Sequence, residues 1–169
     1  YAASGALAAL CLASIAAVML AQAFLREAGR LLRGADDIVA WLCAAAAFLA
    51  LGHTFRKGEL VRVGLLIERL SPRARHAAEI VALAIALVFA GFMVWAVLAF
   101  VYDSFRFNEV SQGLIRIPIW IPQASVAVGV TIFFVAVLDE FVVVLRRGKP
   151  AYQVAEDERR AAQDFTETV

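Results

Sequence analysis

The sequence has little of what a soluble enzyme needs. Only 18 % of its 169 residues are charged, against ~25 % in a typical soluble domain. It holds two cysteines and two histidines. Cys11 and Cys43 form no C-x-x-C pair, so neither a disulfide framework nor a thiol redox motif is present, and both read as small buried residues. There is no G-x-S-x-G, H-E-x-x-H, P-loop or G-x-G-x-x-G pattern. No catalytic constellation remains, and the chain is expected not to be an enzyme. Sixteen basic and fifteen acidic residues leave a net charge of +1, too little to attract nucleic acid through a polybasic surface. No internal repeat is visible.

What the chain does have is apolar length. Hydrophobic residues make up 63 % of it, where ~45–50 % is usual, and a globule of this size has too little interior to hide them. Charges are absent from residues 1–25, 38–55, 80–102 and 117–138. As helices these runs reach roughly 27–38 Å, matching the ~30 Å hydrocarbon core of a bilayer. Backbone groups in lipid must be satisfied within the segment, which favours helix, and the alternation of a lipid-facing barrel strand is missing. The first run is longer than a signal-peptide core and no basic residue precedes it, so it reads as a span. The expected fold is an all-α membrane protein. Its domain covers 1–150, with four transmembrane helices at about 5–27, 36–56, 77–103 and 118–145, and a tail follows at 151–169.

The basic residues give the orientation. Loop 56–79 and the tail share one side and carry Arg56, Lys57, Arg62, Arg69, Arg73, Arg75, Arg146, Arg147, Lys149, Arg159 and Arg160. The other side carries only Arg26, Arg30, Arg33, Arg106 and Arg116. The positive-inside rule places both termini in the cytoplasm. Within 59–70, Leu60, Val63, Ile67 and Leu70 share a helical face opposite Arg62 and Arg69, which predicts an amphipathic interfacial helix. Ile117-Pro118-Ile119-Trp120-Ile121-Pro122 suits the start of the fourth span, with proline in a first turn and tryptophan at the boundary.

Few polar groups lie at membrane depth. Asp139 and Glu140 sit about 10 Å inside the basic end of span four. They admit two readings: a cation or proton site of a stand-alone transporter or channel, or a boundary pair that meets Arg56 and Lys57. His53 and His76, one each on spans two and three, admit a b-type haem, although His76 lies in a basic cluster. Packing signals are stronger than chemical ones. Gly91 and Gly129 fall near the middles of spans three and four and predict a close approach of those helices. Trp41, Phe48, Phe89, Phe92, Trp95, Phe100, Phe133 and Phe134 are bulky enough to face lipid or a larger partner. Bulky outer faces without a polar interior suit a scaffold or accessory subunit.

Several local patterns resemble the small membrane subunit, DctQ type, of tripartite ATP-independent periplasmic (TRAP) transporters, over about residues 5–150. That family often opens span two with Trp-x-Glu-Glu-x-x-Arg and closes it with Arg-Lys-x-x-His-x-x-x-Asp. Asp36-Asp37 stands at the acidic pair and Arg56-Lys57 follows at the matching spacing. Val61-Arg62-Val63, Leu70-Ser71-Pro72-Arg73 and Pro118-Ile119-Trp120 are also similar to the family. Gly34, Ala40, Leu60 and Gly64 depart from it, at the Trp, Arg, His and Asp positions respectively.

The resemblance implies a non-catalytic small permease subunit, multi-pass in a bacterial inner membrane and surrounded by its lipids. Its partners would be a large multi-span elevator subunit, which carries the coupling ion, usually sodium, and a soluble periplasmic substrate-binding protein that delivers an organic acid. No cofactor, metal or nucleic acid is expected on this chain. Under that reading Arg26, Arg30, Arg33, Asp36, Asp37, Asp103, Arg106, Glu109 and Arg116 are candidates for docking the binding protein through rim contacts.

Overall fold

The computed structural model describes residues 2–30, 32–57, 72–146 and Val154. The amphipathic stretch at 59–70 and, Val154 apart, the tail at 151–169 lie outside the described residues. Among the described residues four long helices make up the fold: α1 (Ala2–Glu27), α2 (Ala35–Arg56), α3 (Pro72–Arg106) and α4 (Trp120–Leu145). Each is long and apolar enough to cross a membrane. Among the described residues the only β pairing is an isolated bridge between Val110 and Pro118.

Local chemistry explains the helix ends. After α1, Gly29 adopts φ 71°. The amides of Gly29 and Arg30 then donate back to the carbonyls of Arg26 (3.0 Å) and Leu25 (2.8 Å), a Schellman cap that uses the residue type most at ease in the left-handed region. The same device ends α3. Asn108 takes φ 49°, and the amides of Asn108 and Glu109 donate to Phe105 (3.3 Å) and Ser104 (3.0 Å). At about 52 Å for its 35 residues, α3 outruns the span expected at 77–103. Its first turn takes in the Arg73–His76 segment and its last takes in Arg106.

The fourth helix starts at Trp120 and not at the Ile117-Pro118 expected from sequence. Pro118 is held in the bridge to Val110 instead, a position that asks no amide of it. The proline in the first turn is Pro122.

The helices form a row. α1 packs on α2, α2 on α4, and α4 on α3, while the other pairs touch only marginally. The inner pair, α2 and α4, is the most buried, and α1 and α3 form the edges. Two apolar clusters stitch the row together. Ala8, Ala45 and Leu49 join α1 to α2, with Cys11, Ala50 and Ile132 against them. Phe55, Leu83, Ala136, Val137 and Val144 join α2, α3 and α4. Within the second, the Phe55 and Phe133 rings meet edge to face at 5.7 Å.

Two glycines bring α2 and α4 close together. A Cβ on Gly129 would stand 2.6 Å from the carbonyl carbon of Phe48 and 2.7 Å from its oxygen. One on Gly52 would stand 2.9 Å from Cγ2 of Ile132. The approach anticipated between α3 and α4 at Gly91 and Gly129 is therefore corrected. Gly129 faces α2, and only Gly91 faces the α3–α4 contact, with Phe134 at an ordinary 3.4 Å. The bulky residues divide likewise. Phe89, Phe92, Trp95 and Phe100 are exposed along α3, whereas Trp41, Phe48, Phe133 and Phe134 are half-buried within the row. Of the cysteines expected to be buried, Cys11 is half-buried and Cys43 is exposed, since α2 also contributes to the outer faces of the row.

Gly129→Ala should cost about 1–3 kcal/mol, because the added methyl meets backbone that can yield only by parting the helices. Gly91→Ala should be neutral or stabilise by about 0.5 kcal/mol through helix propensity. Denaturant unfolding of both variants in mixed micelles measures the difference, and equal effects would refute the assigned seam.

Candidate functional site

Two polar regions lie at opposite ends of the row. At one end the α1–α2 connection meets the α3–α4 connection. The latter is a small hairpin in which Ser111 donates to Ile117 (2.9 Å) and Ile119 donates to Glu109 (3.0 Å), on either side of the Val110–Pro118 bridge. Its stem is pinned to α3, where the buried Ser104 hydroxyl donates to Oε2 of Glu109 at 3.0 Å. It is pinned again where the Phe105 and Trp120 rings meet edge to face at 5.8 Å.

The two connections are tied by one side chain. Asp37, in the first turn of α2, accepts the amides of Leu114 (2.9 Å) and Ile115 (3.4 Å) at Oδ2, 77 and 78 residues away. A carboxylate there also complements the α2 macrodipole. Charged hydrogen bonds of this kind contribute ~1.5–3 kcal/mol. Two glycines make room for the tie. A Cβ on Gly113 would overlap the Asp37 carboxylate, and one on Gly34 would overlap the Ile115 side chain. Gly34 also takes φ 81° at the α2 N-cap, so it is placed there by backbone conformation as well as by space. Asp36, one residue earlier, accepts from Gln22 of α1 at 3.3 Å.

All nine candidate docking residues flank these two connections, which the Asp37 tie places at the same end. Arg26, Arg30, Arg33, Asp36, Asp103, Arg106, Glu109 and Arg116 are exposed, and Asp37 is half-buried. The Arg106 guanidinium lies 5.9 Å from the centre of the neighbouring Phe107 ring. Sequence reasoning missed Gly34, Ser104, Gly113 and Ile115. The departure at Gly34 and the Ser111-Gln112-Gly113 turn were the available signals, but neither names a partner so distant in the chain.

At the other end Arg56 and Asp139 approach to 3.8 Å, with side chains 36 % and 51 % exposed. Lys57 is exposed, and Glu140 is buried at 1 % exposure. The two acids thus stand in different surroundings, as residues ~100° apart on a helix do. The histidines are not brought together either. His53 packs its ring on Gly5 of α1, where a Cβ would stand 3.0 Å from Cγ, while His76 lies on α3, beyond α4 in the row. The haem reading therefore finds no converging ligands. Among the described residues no three His, Cys, Asp or Glu side chains group as a metal site.

A family model described as tripartite ATP-independent periplasmic transporters, DctQ component, matches residues 15–147. Comparison with curated proteins gives no match.

The Arg56–Asp139 pair, being open to solvent, should contribute little. A double-mutant cycle with Arg56→Gln and Asp139→Asn is expected to give a coupling below about 1 kcal/mol in micellar unfolding. A coupling of several kcal/mol would instead mark a desolvated pair.

Proposed function

Because the chain belongs to the DctQ component family of tripartite ATP-independent periplasmic transporters, we propose that it serves as the fixed, non-catalytic frame of such a transporter in a bacterial inner membrane. Its termini lie in the cytoplasm, and the Asp37 end lies in the periplasm. The large subunit carries the substrate, an organic acid, together with the coupling ion, sodium, and moves against this frame. The binding protein approaches the hairpin end. No cofactor belongs to the small subunit itself.

The single observation that carries this reading is the row of helices. A closed bundle turns its helices inward and has room for a path or cofactor between them. A row has no such interior. It offers two broad apolar faces, one of which can lie against a larger protein while the other meets lipid. Exposed Phe89, Phe92, Trp95 and Phe100 on α3 supply bulky surface for that purpose. The acids that would have to move ions are split between an exposed boundary position and a buried one, a poor arrangement for a pathway.

Affinity purification of the tagged chain from its native membranes should bring down a multi-span protein in fixed stoichiometry. Proteoliposomes of that pair should take up an organic acid only when a binding protein and a sodium gradient are supplied. The chain alone should move neither solute nor ion. Uptake by the chain alone would overturn the reading.

A further inference from the structure

We propose that Asp37 is a positioning residue for docking: its carboxylate fixes the outer arc of the hairpin, residues 112–116, so that Leu114 and Arg116 stand ready for an apolar recess with an acidic rim on the periplasmic binding protein. This rests on the reading that the hairpin end receives that protein.

The arc needs something to hold it. The ladder of the hairpin stops at Ser111 and Ile117, and a two-stranded ribbon this short is marginal on its own in water. Within the arc, Gly113 donates to the Ser111 hydroxyl at 3.2 Å, a local turn that does not tie the arc to the helices. Asp37 does tie it, through two consecutive amides, and the Ile115 side chain adds a second anchor in the space left by Gly34. Both fastenings come from the start of α2, which the tight α2–α4 seam holds still.

The anchored arc carries the most exposed large apolar side chain of the described residues, Leu114 at 75 %, with exposed Arg116 two residues on. An apolar knob beside a cation matches a contact that has an apolar centre and a charged rim. The local charge favours an acidic partner. Across the whole end the arginines are balanced by Glu27, Asp36, Asp37, Asp103 and Glu109, but within the arc, residues 112–116, the one charged side chain is the exposed Arg116. A loop ordered before encounter does not pay its ordering entropy at binding. Losing the tie should therefore weaken docking while leaving the movement of the large subunit alone.

The test uses the reconstituted complex and titrates substrate-loaded binding protein. Asp37→Ala and Gly113→Ala break the same tie from two elements. Each is expected to raise the KM for binding protein about tenfold with Vmax within twofold of the parent. Hydrogen exchange at the Leu114 and Ile115 amides should speed up in both, and Asp37→Glu should recover part of the affinity. A fall in Vmax at unchanged KM would show a merely structural role and overturn the proposal. So would faster exchange with unchanged KM while Leu114→Glu or Arg116→Glu still weakens docking. If those two substitutions also leave KM unchanged, the docking reading itself fails.

Discussion

α2 and α4 are apolar enough to cross a membrane, and between helices in lipid apolar burial does not act as it does in a soluble core. A leucine face gains nothing by leaving lipid for another leucine face. What remains is close contact, and dispersion falls steeply with small gaps. Gly52 and Gly129 let backbone meet side chain and backbone directly across this seam. Both edge helices depend on it, because α1 packs on α2 and α3 packs on α4, while the edges scarcely touch one another. The loop end depends on it too. Asp37 can tie the hairpin only because α2, which carries it, and α4, which the hairpin leads into, are fixed side by side.

The four spans were legible because charge is the costliest thing to place in lipid. Four charge-free runs in a chain of this length leave few alternatives. The order of the helices was not legible. Gly129 announced a close approach but not its partner, since a glycine lacks a side chain on every side of the helix alike. Connectivity suggested α3, the preceding antiparallel neighbour, and the structure shows α2, which runs parallel to α4. Phe48 and Phe133 were assigned outward for a related reason, because bulk without a periodic polar face does not tell lipid from a neighbouring helix.

At the loop end, Asp36 and Asp37 were legible as acids beside a helix start, but only as two of nine charged residues. Their separate roles come from contacts 14 and 77 residues away in sequence. Gly34, a departure from the family pattern, has a spatial reason that no local window contains: Ile115 occupies the place of its side chain. The hairpin stem was missed because Ile117-Pro118-Ile119 resembles a helix start. The single bridge at Val110 claims Pro118, and the helix waits until Trp120.

The proposed role, a fixed frame for a moving partner, asks for stiffness along its length and surface on its sides. The row meets both demands with one device. Concentrating the close packing in the middle leaves α1 and α3 with outward faces that need satisfy only lipid or another protein, and on α3 residues 80–101, which carry no charge, supply most of that face. Stiffness then has to reach the ends through covalent continuity. At the Arg56 end α2 stops at the basic pair Arg56-Lys57. At the other end the chain must turn twice, and a turn is where a frame loses definition. The two Schellman caps, the Ser104–Glu109 contact and the Asp37 tie all lie there. Such ordering suits the proposed meeting with a soluble partner, because a loop held in place before encounter does not lose its ordering entropy at binding.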